Sequence, residues 1–262
     1  MLNLKIMLVL LLLTLSSFSF AVPTTSQVDF SSGPKGWVGM QAIDGVGGTG
    51  INASLGQQRP ALHTQINNFG ISFANSSNHA FIGDYGKVRS VTLSIDVLAI
   101  SIKAFGQEVP SKMVLELRDY DNTPSGVPYT SVWYDLGTID FMQGWKTLSV
   151  SIADTKAHNL PAGWGGFGSP DDIAGPSLPE GRSFADVLSS VDELAFSTIM
   201  PGFQYQFHDF DVAIDNISIV TEVPEPQVQT LMFFGTLIIA WVLKRKSKTL
   251  TRSKVFIPYR AQ

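Results

Sequence analysis

The sequence predicts an all-β fold, a two-layer antiparallel β-sandwich with jelly-roll-like topology and one short helix. Several segments alternate apolar and polar residues with a period of two, which is typical of half-buried strands. Gly (23) and Pro (14) are frequent, and charged residues make up 15% of the chain. That composition favours short strands joined by many turns over a bundle of helices.

The alternation predicts the strands and their buried faces. Alternation predicts strands at residues 88–97, 112–118, 145–152 and 212–220. Residues 129–136 are predicted as a hairpin partner, and residues 28–30 as the first strand. We expect one apolar face of these strands to form the core, with the side chains of Leu93, Ile95, Leu115, Leu117, Leu148, Val150, Ile217 and Ile219 buried.

Turn and cap residues separate the strands. Residues 121–126 (DNTPSG) predict the long loop of a hairpin. The Gly-rich residues 39–60 and the Gly-, Pro- and Asp-rich residues 157–182 predict loops. Ser183 predicts the start of the helix, because Asp186 completes a capping-box-like pair with it.

The N-terminal segment, residues 1–21, predicts a secretory signal peptide. Lys5 precedes an apolar run over residues 6–15, and small residues follow at Ser19 and Ala21. This pattern predicts cleavage after Ala21. The alternative is an uncleaved anchor helix, for which the apolar run is short.

The C-terminal segment predicts a membrane anchor. An apolar run over residues 228–243 would form a helix of roughly 24 Å, short for a bilayer but usable if the basic residues that follow it snorkel. These residues are expected on the cytoplasmic side. Residues 22–222 are then the exported domain, and residues 247–262 a basic cytoplasmic tail. The flanking motifs are Val223, Pro224, Glu225 and Pro226 before the run, and Lys244, Arg245 and Lys246 after it.

These C-terminal residues resemble the PEP-CTERM sorting signal of Gram-negative bacteria that make exopolysaccharide. The resemblance covers residues 223–246 and implies recognition and processing by an exosortase, a peptidase-like membrane enzyme. It therefore implies that the protein crosses the inner membrane and reaches the cell envelope, the cell surface or the medium. In this chain residues 247–262 follow the basic cluster, at which such signals usually end.

The exported domain is acidic and lacks cysteine. Residues 22–222 contain 10 basic and 21 acidic residues, a net charge of −11. Such a surface repels phosphate backbones, so we expect no nucleic-acid partner. Without Cys there are no disulfides, thiolate metal sites or cysteine nucleophiles.

No motif predicts catalysis. The sequence contains no Gly-x-Ser-x-Gly elbow, no His-Glu-x-x-His and no phosphate-binding loop. Its four His residues stand far apart. Two carboxylates of a glycoside hydrolase can come from distant segments, so a polysaccharide hydrolase stays open as the least favoured reading.

Acidic residues near the last strand suggest a structural Ca²⁺ site. First and last strands often run side by side in jelly rolls, which would bring Asp29 or Asp209 close to Asp215. Clustered carboxylates repel one another, and Ca²⁺ relieves that repulsion. The alternative is that Asp215 faces solvent or caps a neighbouring loop.

Two tryptophans are candidates for glycan contact. Trp133 alternates with a tyrosine, so one of the two should face outward. Trp164 lies in the Gly-rich segment 162–167, where an exposed ring would point to a function. The alternative is that Trp164 tethers this loop to the sandwich.

The exported domain resembles laminin-B-like and carbohydrate-binding jelly rolls in several short motifs. These are Gly83-Asp84-Tyr85, Gly144-Trp145, Val191-Asp192-Glu193-Leu194 and Ile214-Asp215-Asn216-Ile217. We therefore expect a non-catalytic surface or matrix protein associated with exopolysaccharide. The alternative is a lectin-like module with a defined sugar site.

Overall fold

The computed structural model describes residues 23–42, 46–57, 60–121, 123–170, 176–203 and 205–223. The predicted signal peptide with Ala21, the sorting motif after Val223, the anchor segment and the basic tail lie outside the described residues. No helix within these ranges is long and apolar enough to span a membrane.

The described residues form thirteen strands in two antiparallel sheets. In chain order they are β1 (Pro23–Val28), β2 (Trp37–Gly39), β3 (Gly48–Asn52), β4 (Ala61–Asn68), β5 (Ser72–Asn75), β6 (Ser90–Ala104), β7 (Gln107–Glu108), β8 (Ser111–Asp119), β9 (Thr130–Ile139), β10 (Lys146–Ile152), β11 (Trp164–Phe167), β12 (Glu193–Ser197) and β13 (His208–Glu222).

The first sheet has the order β10-β6-β13-β4-β3, with β1 pairing the later part of β13 and β7 pairing β6. The second sheet has the order β11-β9-β8-β12-β5-β2. The chain crosses repeatedly between the sheets, because strands that follow one another often belong to different layers. The β-sandwich expected from the alternation is therefore the observed architecture.

The predicted core is confirmed. All eight predicted core side chains, from Leu93 to Ile219, are at most 8% exposed. They belong to one hydrophobic cluster that fills the space between the sheets, together with the buried rings of Trp37, Phe73, Phe81 and Phe196. Two sheets that each bury one apolar face in this way form a stable two-layer domain.

Two predicted loops contain strands. β3 lies within residues 39–60, and β11 lies within residues 157–182. Both are short and rich in glycine, so neither shows the alternation of side chains that identifies a strand. Each is held by its neighbour, β3 by β4 and β11 by β9.

A β-bulge at Asn216 corrects the predicted faces of the last strand. Simple alternation over residues 212–220 assigns Ile214 and Ile217 to opposite faces. The pairing register with β6 instead shifts between Asp215 and Ser218, and Asn216 has a left-handed φ of 47°. The extra residue turns Val212, Ile214, Ile217 and Ile219 all towards the core, where each is at most 2% exposed.

One short helix, α1 (Phe184–Leu188), begins where the capping residues predict. The Ser183 hydroxyl accepts a hydrogen bond from the Asp186 amide, and the Asp186 carboxylate accepts one from the Ser183 amide. The Ser183 hydroxyl also donates to the Asp186 carboxylate at 2.6 Å, and this hydrogen bond, followed by that from the Ser183 amide, lowers the pKa of Asp186. The buried side of the helix presents Phe184, Val187 and Leu188 to the core.

Truncation of a core side chain should destabilise the sandwich strongly. Leu115→Ala removes a fully buried side chain of β8 and should cost about 2 to 4 kcal/mol of unfolding free energy. Val38 on edge strand β2 is 61% exposed, so Val38→Ala should change stability by less than about 0.5 kcal/mol. Denaturant melts of both variants measure the difference, and equal losses would contradict this packing.

Candidate functional site

Five aromatic rings lie on or against the outer side of the second sheet, the side turned away from the core. Leu117 and Val132 point into the core, so the alternate residues on β8 and β9 point outward. We call this surface the aromatic face; its rings are Tyr120, Tyr129, Trp133, Phe167 and Phe203.

A glycine on the neighbouring strand fixes the position of Trp133. Trp133 lies opposite Gly165 in the pairing of β9 with β11. A Cβ added to Gly165 would lie 2.2 Å from two atoms of the indole ring, so only glycine leaves room for the ring there. The Trp133 Nε1–H also donates to the Gly166 carbonyl at 3.3 Å. The indole is therefore held against the flat backbone of β11.

The remaining rings continue this surface along the sheet. Tyr129 contacts Tyr120 and Phe167, with ring centroids 5.7 Å and 5.3 Å away. Phe203 meets Trp133 edge to face at 6.5 Å. Tyr120 is 44% and Phe203 is 53% exposed, while the other three rings are half-buried. The aromatic face thus combines half-buried rings, held by their neighbours, with rings that are exposed to solvent.

A charged network lies among these rings. Arg118 donates from Nε to Glu116 at 2.8 Å and from Nη1 to Glu193 at 2.5 Å. Its guanidinium also stacks over the Tyr129 ring, 4.9 Å from the centroid. Glu116, only 1% exposed, accepts a further hydrogen bond from the Ser131 hydroxyl at 2.7 Å. One cation therefore holds two carboxylates and one ring.

Burial and charge act together on these groups. Burial alone would lower the pKa of Arg118, but Glu116, Tyr129 and Glu193 outweigh it, and the pKa is raised. Burial, followed by the nearby Glu116 carboxylate, raises the pKa of Tyr129 to about 12. At neutral pH Arg118 is therefore charged and Tyr129 keeps its hydroxyl proton.

An acidic cluster lies beside Tyr120. Carboxylate oxygens of Asp119, Asp121 and Asp192 lie within 4.8 Å of one another and could hold a metal ion. Asp192 accepts from the Tyr120 amide at 2.8 Å, and Asp119 ion-pairs with Arg182. Burial is the main cause that raises the pKa of Asp119. A bound ion would have to share Asp119 with that guanidinium.

The three aspartates predicted to bind Ca²⁺ are not brought together as a set. β1 pairs with β13 and shares only Val28 with the first strand predicted at residues 28–30. Asp29, just after β1, is near enough to Asp215 to contribute to its raised pKa, after burial and Asp96. Asp209 lies six residues from Asp215 along β13, roughly 20 Å away. Asp209 and Asp215 are therefore too far apart along β13 to bind one ion together, and the pairing of Asp29 with Asp215 stays a prediction.

Asp215 itself is buried and satisfied. It is 1% exposed, and its carboxylate accepts from the amides of Gln57 and Asn216 at 2.9 and 2.8 Å. Asp29 is exposed and bonds Ser31, which lowers its pKa. A Ca²⁺ ion at Asp215 remains a prediction.

Trp133 and Trp164 lie on opposite sides of the second sheet. Trp164 pairs with Tyr134 in the strand register and is 9% exposed. Its ring packs edge-on against Phe184, 5.1 Å away. The packing of Trp164 therefore agrees better with the alternative, in which the ring tethers its loop to the sandwich, than with a ring that reaches freely into solvent. With Tyr134, Trp164 also lines a cleft of about 660 Å³ at the edge strands β10 and β11.

A cluster of hydrogen-bonded polar side chains around His63 lies on the outer side of the first sheet. His63 Nε2 lies 2.7 Å from the Asp211 carboxylate, and His63 Nδ1 lies 3.3 Å from the Asn52 amide nitrogen. Both ring nitrogens thus contact side chains that are not nucleophiles. This arrangement gives His63 no hydroxyl to activate, which a Ser–His pair requires.

The comparisons with known proteins concern architecture. No protein-family model matches the chain, and no curated protein matches it either. It is similar to an exo-β-agarase structure (14% identity, 80% of this chain and 25% of that chain, TM-score 0.44). It is also similar to the family 30 carbohydrate-binding module of the cellulosomal cellulase Cel9D-Cel44B of Clostridium thermocellum (12%, 76% and 96%, 0.43) and to the L4b domain of human laminin α-2 (12%, 80% and 100%, 0.35).

The chain therefore spans a quarter of the agarase chain that it matches. At these TM-scores and identities the matches identify neither a ligand nor an activity for this chain.

Sequence reasoning found Trp133 but missed the residues around it. Glu116 and Arg118 alternate with core leucines in β8, and this alternation places charged residues on the outer side of a central strand. The partner residues Tyr129 and Glu193 come from other strands. Only the register of β8 with β9 and β12 brings them to Arg118.

Loss of Arg118 should leave Glu116 buried without its partner. Arg118→Met should therefore cost about 3 kcal/mol of unfolding free energy. Lys87→Met removes a surface pair with Asp84 whose lysine is 79% exposed, and should cost less than about 0.5 kcal/mol. Chemical denaturation measures both values.

The double variant Glu116→Gln/Arg118→Met separates charge from packing. It removes the buried negative charge of Glu116 together with Arg118, so it should lose less unfolding free energy than Arg118→Met alone. Equal losses in the Arg118 and Lys87 variants would show that the network contributes no more than a surface ion pair.

Proposed function

We propose that this is a non-catalytic exported protein that associates with polysaccharide through the aromatic face. The observation that carries the proposal is the indole of Trp133, fixed against Gly165 and accompanied by the exposed rings of Tyr120 and Phe203. A monomeric domain gains nothing in core stability from aromatic rings that solvent reaches, so a partner is the physical reason to expect.

A sugar is the partner that these groups suit. The C–H side of a pyranose ring is flat and apolar, as is the face of an aromatic ring, so the two stack. Sugar hydroxyls need both donors and acceptors beside that contact. Glu193 supplies acceptor oxygens, while Arg118 and the protonated Tyr129 hydroxyl supply donors. The aromatic face thus offers both kinds of contact on one surface.

The same geometry argues against hydrolysis. A glycoside hydrolase needs one carboxyl group that delivers a proton and a second that acts as base or nucleophile. Of the carboxylates that accompany the rings on this side of β8, Glu116 and Glu193 both bind Arg118, and Asp135 pairs with Lys112. All three are therefore engaged by cations. A sensitive assay for new reducing ends, with the polymer that binds best, should find no cleavage.

A lectin-like module with a defined sugar site is the second candidate function. It shares the aromatic face with the first, and the two differ in selectivity. A glycan array distinguishes them, because a matrix protein should bind many related polymers weakly while a lectin should select one structure.

We further propose that the chain is exported, sorted by an exosortase and held at the inner membrane before or after processing. This rests on the sequence patterns of residues 1–21 and 223–246. The net charge of −11 over residues 22–222 suits a soluble exported domain.

We also propose Ca²⁺ as the ion for the acidic cluster, because carboxylate oxygens are its preferred ligands. Ca²⁺ that binds only the folded protein should raise its Tm above the value in EDTA. Asp192→Asn should abolish the rise, and Asp215→Asn should leave it. A rise lost only in Asp215→Asn would move the ion to the site predicted from sequence, and identical melts in EDTA and Ca²⁺ would exclude both.

Removal of the Trp133 ring should abolish polysaccharide binding. In affinity electrophoresis through gels that contain the polymer, Trp133→Ala should migrate as in a polymer-free gel, because the stacking surface is gone. Trp145→Ala is the matched control, since Trp145 is half-buried just before β10 in the other sheet. Retained retardation in Trp133→Ala, with an unchanged melting curve, would contradict the site.

Sorting should depend on the proline–glutamate motif. Changing Pro224, Glu225 and Pro226 to Ala should leave the unprocessed chain in the inner-membrane fraction, because the exosortase no longer recognises it. Immunoblots of fractionated cells show the size and the location. Unchanged processing of the triple variant would contradict the exosortase proposal and leave an ordinary membrane anchor.

A further inference from the structure

We infer that the aromatic face takes an uncharged glycan and rejects polymers of uronic acids. The inference rests on the proposed function, since it assigns the ligand class of the same site. It comes from the way in which the charges of this face are already paired.

The cations on the outer side of β8 are already engaged. Arg118 binds two carboxylates and a ring, as described above. Lys112, on the same side of the strand, lies 3.0 Å from the Asp135 carboxylate. Two cations thus accompany the three carboxylates of Glu116, Glu193 and Asp135. A uronate could form an ion pair with Arg118 or Lys112 only in competition with these carboxylates, of which Glu116 is buried and Glu193 is 18% exposed.

Acidic residues near the aromatic face also disfavour an anionic ligand. The acidic cluster of Asp119, Asp121 and Asp192 lies beside Tyr120, and only Arg182 pairs with it by an ion pair within the described residues. The exported domain as a whole carries a net charge of −11. A polyanion therefore meets a negative field during approach and a negative surface on contact.

An uncharged sugar meets no such penalty. Its hydroxyls can donate to Glu193 and accept from Arg118 or Tyr129 while the ion pairs stay intact. Tyr129 and Trp133 stand four residues apart along the chain at β9, roughly 13 Å, so the face can contact more than one sugar ring. Binding by stacking and neutral hydrogen bonds should depend little on salt, in contrast to binding by charge.

The test is affinity electrophoresis of the protein purified from the envelope fraction. The neutral polymers are hydroxyethylcellulose, galactomannan and xylan; the anionic ones are alginate and polygalacturonate; chitosan oligosaccharides, added as competitors, probe cationic sugars. We expect retardation by at least one neutral polymer and by neither uronate polymer. The dissociation constant for the neutral polymer should stay within about twofold between low salt and about 0.5 M NaCl.

A charge variant makes the inference specific to Arg118. Glu193→Gln keeps the shape of the side chain and removes one of the two negative charges that are paired with Arg118. The ratio of uronate affinity to neutral affinity should then rise by about tenfold, the value of one charge-assisted hydrogen bond. Glu108→Gln removes the same charge from β7 in the other sheet, and should leave the ratio unchanged.

The outcomes separate the inference from the proposed function. Two results would overturn the uncharged ligand: retardation by alginate or polygalacturonate alone, or binding that only chitosan competes for and that salt abolishes. If Trp133→Ala abolishes that binding, the aromatic face is still the binding site. Equal ratios in the Glu193 and Glu108 variants would also overturn the inference. Failure of every polymer and oligosaccharide to bind would contradict the proposed function itself.

Discussion

The pairing of Glu116 with Arg118 is the constraint on which the outer side of the second sheet depends. Glu116 is 1% exposed on a central strand, and a buried carboxylate is tolerated only when its charge is matched. Arg118 matches it, and the same guanidinium reaches Glu193 on β12 and stacks on Tyr129. One interaction thus ties three neighbouring strand segments together and fixes the positions of the charged groups and one ring that a ligand would meet.

The core and the strand geometry fix features of the outer side that the Glu116–Arg118 pair does not. The core between the sheets fixes which side of β8 and β9 faces outward, and the glycine-rich β11 leaves the space in which the Trp133 ring lies. On the other sheet, the bulge at Asn216 turns four apolar residues of β13 inward and leaves Asp215 on the outer side beside Asp96. Strand geometry therefore decides which polar groups meet. It joins Glu116, Arg118 and Glu193, and it separates Asp209 from Asp215.

The sequence predicted those strands and helix ends whose characteristic pattern lies within one short stretch of the chain. Alternation predicted β6, β8, β10 and β13 and buried residues such as Leu115 and Ile219, but it did not predict β4. The Ser183–Asp186 pair predicted the helix start. Short, glycine-rich β3 and β11 carry no alternation and were predicted as loops. The two faces of β13 could not be derived because a bulge adds a residue without a distinct sequence signal. Of the candidate site, Trp133 was found from its own position, whereas Tyr129 and Glu193 depend on strand pairings that a single sequence does not specify.

The most direct measurement is a ¹H–¹⁵N titration of the tryptophan indole signals with the neutral oligosaccharide that binds best. We expect the Trp133 signal to shift in a saturable manner, while the signal of Trp37, which is 1% exposed in the core, stays in place. The signal of Trp164, on the inner side of the second sheet, should also stay. Shifts confined to Trp164 would place the ligand in the cleft at β10 and β11, and would contradict binding at the aromatic face.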